Sequence, residues 1–163
     1  MDKTGNDRDA LLREHIRYLL RGGGAHLHFP DVVADFPSAL INVRIGNLPY
    51  TPWQVLEHLR IAQWDILEFS RNANHVSPKF PEGYWPAGTN DADSGTWQKS
   101  VKTFLSDLKE MEELVMNVST DLLAPIPHGD GQTILREALL VADHNAYHIG
   151  SLMTMKKAGL ETD

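Results

Sequence analysis

The stretch "TPWQVLEHLRIAQWDILEFSRN", residues 51–72, places Val55, Leu59, Ala62, Ile66 and Phe69 at successive intervals of four, three, four and three. That spacing keeps all five side chains on one stripe of an α-helix, whereas a half-buried strand would alternate at every second residue. The opening pair agrees with this reading. Thr51 is a good N-cap, and Pro52 suits the first helical position, where its missing N–H has no partner to lose and its fixed φ is already helical. His58 lies beside the Val55–Leu59–Ala62 part of the stripe rather than opposite it, which points it at the margin of a helical-bundle interior.

Working outward, the same period recurs. Residues 7–21, "DRDALLREHIRYLLR", carry Leu12, Ile16, Leu19 and Leu20 at helical spacing and run into Gly22-Gly23-Gly24, a strong terminator. Ala25 to Tyr50 breaks the pattern around Pro30, Pro37 and Pro49 and reads as a long connection with a short helix or two. Beyond residue 72 come 23 residues with three prolines and three glycines, "ANHVSPKFPEGYWPAGTNDADSG". A third helix is expected from about Thr96 to Val118, with Trp97, Val101, Phe104, Leu108, Met111 and Val115 on one stripe. A fourth is expected from about Gln132 to Ala158, with Thr133 just inside its start and Gly159 as its stop.

No strand-like alternation competes with these segments, so the fold class is all-α, a four-helix bundle in one domain over residues 1–163. The connections before the second and third helices, of 29 and 23 residues, exceed what antiparallel neighbours need. A helix of about 20 residues is roughly 30 Å long, a distance such a connection can cover, so a parallel pair is allowed but not required.

Composition narrows the function. With 42% hydrophobic and 23% charged residues the chain reads as a globular protein. Fifteen basic residues against 22 acidic ones give a net charge of −7 with no basic cluster, which argues against nucleic acid or an acidic membrane as partner. There is no membrane-length apolar run and no signal-like start, so a cytoplasmic address is expected. With no cysteine, a disulfide, a cysteine nucleophile and a thiolate metal site are all excluded, and a metal must be held by His, Asp or Glu.

Eight histidines make that search worthwhile. His144 and His148, in "DHNAYHIGSL", are four apart, and on a helix their rings share one face about 5–6 Å apart at Cβ. The spacing permits a metal without requiring one, because the glutamate of HExxH is missing. His58 is the candidate third ligand. Three neutral imidazoles with an open position suit Zn²⁺ and equally Ni²⁺ or Fe²⁺.

The segments "LPYTPWQVLEHLRIAQWDILEFSRN", "VSPKFPEGYWP" and "ILREALLVADHNAYHIGSL" together resemble the DinB/YfiT-like family of metal-binding four-helix bundles. The resemblance implies a divalent metal on one histidine of the second helix and an HxxxH pair of the fourth, positions matched by His58, His144 and His148. It further implies an up-down-down-up bundle with a long crossover between the second and third helices. The best-understood relatives are thiol-dependent transferases and isomerases using a low-molecular-weight thiol, although family members differ widely in activity and fold alone does not select a chemistry.

Other residues carry weaker signals. Asp65, seven residues after His58, and Glu137, seven before His144, are candidates for orienting a ligand or moving a proton. Asp143 and Asn145 point away from the ligand face. His15 is expected as a core histidine, His26 and His28 as surface loop residues, and His75 and His128 have no assigned role. Trp53, Trp64, Tyr84 and Trp85 are candidates for a pocket wall, Trp64 more readily for plain core. The irregular "FPEGYWP" is a candidate lid.

Two functions compete. In one, the protein is a metal-dependent thiol S-transferase, its thiol a diffusible molecule such as glutathione, bacillithiol or mycothiol, with metal-bound hydroxide hydrolysis as a variant. In the other, it is a non-catalytic, metal-bearing, stress-linked protein that binds a small molecule or a partner, with a homodimer as one expectation. They differ in whether a pocket opens onto the metal.

Overall fold

A computed structural model of the protein describes residues 3–86 and 91–161. Among these described residues five α-helices follow in order: α1 Lys3–Leu20, α2 Phe29–Val33, α3 Pro52–Arg71, α4 Ser94–Met116 and α5 Ile134–Leu160, with 3-10 turns at Ser38–Leu40 and Glu82–Tyr84. The all-α expectation holds: the described residues include no strand, only an isolated bridge between Pro125 and Thr133.

The helix boundaries follow from local chemistry. At the start of α3 the Thr51 hydroxyl accepts from the Gln54 N–H at 3.2 Å, while the Gln54 side-chain oxygen accepts from the Thr51 N–H at 3.0 Å, a reciprocal capping box. Asp93 caps α4 by accepting from Thr96 N–H at 2.7 Å. Thr133 caps α5 by accepting from Arg136 N–H at 3.1 Å, so it stands just before the helix rather than inside it. At the end of α1, Gly23 N–H donates to Tyr18 C=O at 2.8 Å and Gly22 N–H to Leu19 C=O at 2.9 Å. This Schellman pairing needs a left-handed residue at Gly22, whose φ is 102°.

Helix α3 packs against α4 and α5, and α1 packs on the same two helices. Between α3 and α4 the contacts run Glu57 with Ser100, Gln63 with the Phe104 carbonyl, and Arg71 with Glu110. Among the described residues the buried apolar side chains, Ala62 apart, form one cluster, and the whole predicted α4 stripe, from Trp97 to Val115, lies in it. On α3, Val55, Leu59 and Ala62 are buried, but so are Leu56 and Leu67 from off the stripe, because two neighbouring helices cover a wider arc than one stripe fills.

The connection before α3 is more than a tether. Its Phe29, Val32, Val33, Phe36, Ile41 and Ile45 are buried, with Phe29 against Phe104 at 4.1 Å and Phe36 against Trp97 at 4.8 Å between ring centroids. Each such phenylalanine contributes about 1.5–3 kcal/mol by leaving water.

Three sequence expectations change. Helix α1 begins at Lys3 and turns Arg13, Ile16 and Leu20 inward, which leaves Leu19 and His15 exposed, so His15 is not a core histidine. Arg13 is only 4% exposed because its guanidinium donates to the carbonyl of Val115, in the last turn of α4, and to those of Asn117 and Thr120 just beyond it. Gly159 does not stop α5, which continues to Leu160. A Cβ at Gly159 would stand 2.6 Å from Leu40 Cδ1, so its smallness serves the close approach of the 38–45 connection.

Candidate metal centre

The register of two helices builds the cluster. His144 and His148 lie one turn apart on α5, and α3 brings His58 to them. His58 Nε2 is 3.1 Å from His144 Nε2, and ring centroids are 4.9 Å apart for His58 and His144, 4.6 Å for His58 and His148, and 4.6 Å for His144 and His148. One ring nitrogen of each lies within 4.8 Å of the others. Among the described residues no other group of three His, Asp or Glu side chains converges in this way. Ligands of a tetrahedral ion at about 2.0–2.1 Å stand roughly 3.4 Å apart, so this donor set could hold a divalent metal with small ring movements.

The electrostatics suit that role. Burial, then the charge of a neighbouring imidazolium, pushes His144 down to about 4 and His148 down to about 3. Burial also lowers His58, partly opposed by its hydrogen bond to the Tyr84 backbone. All three are therefore neutral at pH 7, each with one ring nitrogen free to present a lone pair in the right tautomer.

The orientation of His58 has an identifiable source. Its Nδ1 lies 2.9 Å from the Tyr84 carbonyl, and since a carbonyl can only accept, Nδ1 carries the proton and Nε2 presents its lone pair to the cluster. Trp85 stacks on the same ring at 4.0 Å with planes 1° apart, and Tyr50 stacks on Trp85 from beyond at 3.9 Å. Tyr147 meets His148 edge-on at 4.8 Å. Asp65 accepts from His75 Nε2 at 2.7 Å and from the Tyr84 hydroxyl at 2.5 Å. Burial first, and then this bond to Asp65, push Tyr84 up to about 12, so its hydroxyl remains a donor.

A cavity of ≈ 420 Å³ reaches the cluster along the α3–α5 face. His58 and His144 form part of its wall, Ala62, Ile66, Phe69 and Leu140 supply apolar surface, and Ser77, Phe80 and Tyr84 close one side. Gln132, Arg136 and Glu137, around the start of α5, also line it. Glu137 is 4% exposed and accepts from Arg136 Nη1 at 2.7 Å; desolvation raises its pKa against the opposing pull of Arg136. A larger groove of ≈ 770 Å³, lined by Tyr18, Leu19, residues 22–26, Leu139 and Asp143, includes none of the three histidines in its wall.

The structure thus brings together the three histidines singled out by spacing. Asp65 and Glu137 both line the cavity, but Asp65 binds no ring of the cluster and reaches it only through Tyr84. Trp53 is buried core, and Trp64 packs edge-on to His75 at 5.1 Å. Asn145 turns from the cluster into the core, where its amide donates to Gln63 at 2.8 Å. His26 and His28 are exposed as expected, His28 bonding the Arg21 carbonyl. The parts that spacing missed are His75, the Tyr84 carbonyl and the Trp85 stack. Only the aromatic, proline-framed character of "FPEGYWP" signalled that the segment mattered.

Among the described residues no helix is long and apolar enough to cross a membrane. Comparison with curated proteins and with solved structures finds no match. The sequence profile of the DinB superfamily matches residues 28–152, most of the chain, including α3, α4, the connection between them and all three histidines. The chain belongs to the DinB superfamily.

Proposed function

We propose that His58, His144 and His148 are the protein ligands of a divalent ion of the zinc, nickel or iron type, and that the protein is a thiol S-transferase using a low-molecular-weight thiol. The observation that carries the reading is the cavity beside the cluster: two of the three candidate ligands lie in its wall, so a small molecule could reach an open coordination position. A sealed centre would favour the structural alternative.

A divalent ion held there would lower the pKa of a bound thiol, making it a nucleophile at neutral pH. With no cysteine in the chain, that thiol must come from a diffusible molecule. In the transfer, the thiol proton passes to solvent or a base, sulfur forms a bond to an electrophilic carbon, and the leaving group departs with its electron pair. The chain's part is to keep three imidazoles neutral, hold His58 by Tyr84 and Trp85, and offer the apolar wall of Ile66, Phe69 and Phe80 to the electrophile. Hydrolysis through a bound hydroxide would use the same opening.

The bundle is read as up-down-down-up with the crossover between α3 and α4. The order of contacts supports this: Glu57, Gln63 and Arg71 meet Ser100, Phe104 and Glu110 in the same chain direction, as parallel helices would.

The test is metal analysis of protein purified without a nickel column, followed by a screen of thiols against electrophiles. The expected result is about one ion per chain and turnover that requires both metal and thiol. Metal binding without turnover for any thiol or hydrolysable substrate would favour the non-catalytic role. No metal in wild-type protein after reconstitution would overturn the reading.

A further inference from the structure

The segment from His75 to Trp85 meets the centre through backbone and ring contacts, yet little apolar burial holds it down. Val76 is 84% exposed and Phe80 is 80% exposed. Its internal hydrogen bonds, Gly83 N–H to Lys79 C=O at 2.7 Å and Tyr84 N–H to Pro81 C=O at 3.1 Å, shape the turn without tying it to the bundle. The tie is Asp65. One carboxylate oxygen accepts from His75 at the start of the segment and the other from Tyr84 near its end, so a single side chain on α3 pins both ends. Hydrogen bonds to an ionised carboxylate are about twice as strong as neutral ones, and these are largely shielded from water: the Asp65 side chain is 10% exposed and that of His75 is 7% exposed.

We propose that Asp65 is the positioning residue of the metal centre, acting at a distance by clasping the 75–85 segment so that the Tyr84 carbonyl and the Trp85 ring orient His58. The inference rests on the metal reading of the three histidines. Asp65 and His58 are seven residues apart on α3, about 10 Å along the axis, too far for direct contact. The path runs from the Asp65 carboxylate to the Tyr84 hydroxyl, along that residue to its own carbonyl, and from there to His58 Nδ1. Trp85 follows in the chain and is clamped between Tyr50 and His58. No side-chain substitution removes the Tyr84 carbonyl itself, so changes at Asp65 or the Tyr84 hydroxyl can act on His58 only by displacing it.

The experiment is a competition titration of Zn²⁺ against a chromophoric chelator for wild type, Asp65→Ala, Tyr84→Phe, Asp65→Asn and, as a remote control, Leu108→Ala. It is paired with ¹⁵N spectra of the metal-free His58 ring. Asp65→Ala should weaken zinc binding about 10–100-fold, as loss of a ligand-orienting group does, and Tyr84→Phe should weaken it less but in the same direction. Asp65→Asn keeps one acceptor, enough for Tyr84, but turns a donor toward His75 Nε2–H unless that ring changes tautomer, so it should recover only part of the affinity. Leu108→Ala should lower thermal stability while leaving zinc affinity within about twofold. The His58 ring should carry its proton at Nδ1 in wild type and sample both tautomers in Asp65→Ala. Zinc affinities within twofold of wild type for Asp65→Ala and Tyr84→Phe would overturn the proposal, as would an equal loss in Leu108→Ala. If wild type binds no zinc, the metal reading fails on its own, and an unchanged His58 tautomer in Asp65→Ala would sink the clasp as well.

Discussion

Replacing His148 with alanine tests the centre on two independent axes. His148 is half-buried and its ring touches His58, His144 and Tyr147, so the substitution deletes a candidate ligand without opening the core formed by Leu152, Val141 and their neighbours. With free metal at 100 times Kd, an ion bound only to the native state adds about 2.7 kcal/mol. For a chain of this size each kcal/mol moves Tm by about 2–4 °C, so metal should raise wild-type Tm by about 5–11 °C and His148→Ala by far less. The second axis is pH without metal. Because His148 is pushed down to about 3, the unfolded chain takes up a proton below about 6.5 that the native state refuses, and stability falls as pH drops through that window. From pH 6.5 to 5 the unscreened cost is about 2 kcal/mol, and water around a half-exposed ring cuts it to about 1. His148→Ala should therefore lose about 2–4 °C less than wild type between pH 7 and 5. Calorimetry with and without Zn²⁺ at both pH values reads both axes. A full metal-induced shift in the variant, or parallel loss of stability in the two proteins, would refute the reasoning.

Three further outcomes follow from particular contacts. Arg13→Met keeps the apolar stem but strips the carbonyls of Val115, Asn117 and Thr120 of their shared donor, and should cost about 3 kcal/mol in urea unfolding with helical content retained. Asp107 is pushed up to about 6 by burial first and by Glu110 next, so its charge weakens the native state as pH rises from about 4 to 6; Asp107→Asn should be more stable than wild type at pH 8, by about 1 kcal/mol after screening, and the gap should close near pH 4. Phe80→Ala removes cavity wall without touching the three histidines, so binding of a small molecule should change while Zn²⁺ affinity stays within about twofold, measured by parallel titrations. Trp85 is unsuitable for that purpose, because its ring stacks on His58 and its loss should disturb both.

Much of the fold was legible in the sequence because it depends on local period. The α4 stripe from Trp97 to Val115 is buried as its spacing demands, and Thr51–Pro52 starts α3 where capping chemistry places it. The HxxxH pair was equally legible, since one helical turn sets the separation of His144 and His148 whatever surrounds them. Spacing could go no further than placing His58 near a margin: its meeting with that pair depends on the relative register of α3 and α5, which is decided by how the two helices pack in the shared core that holds Leu59, Ala138 and Val141. Arg13 shows the limit in the opposite sense, for nothing local distinguishes it from a solvated arginine, and its burial is set by carbonyls more than a hundred residues later. Gly159 looked like a stop because glycine usually is one, but its role comes from Leu40 pressing against it. The clasp of Asp65 on His75 and Tyr84 lies wholly in the tertiary structure. A hydrogen bond needs two groups within about 3 Å, and an irregular segment has no period from which that distance can be read.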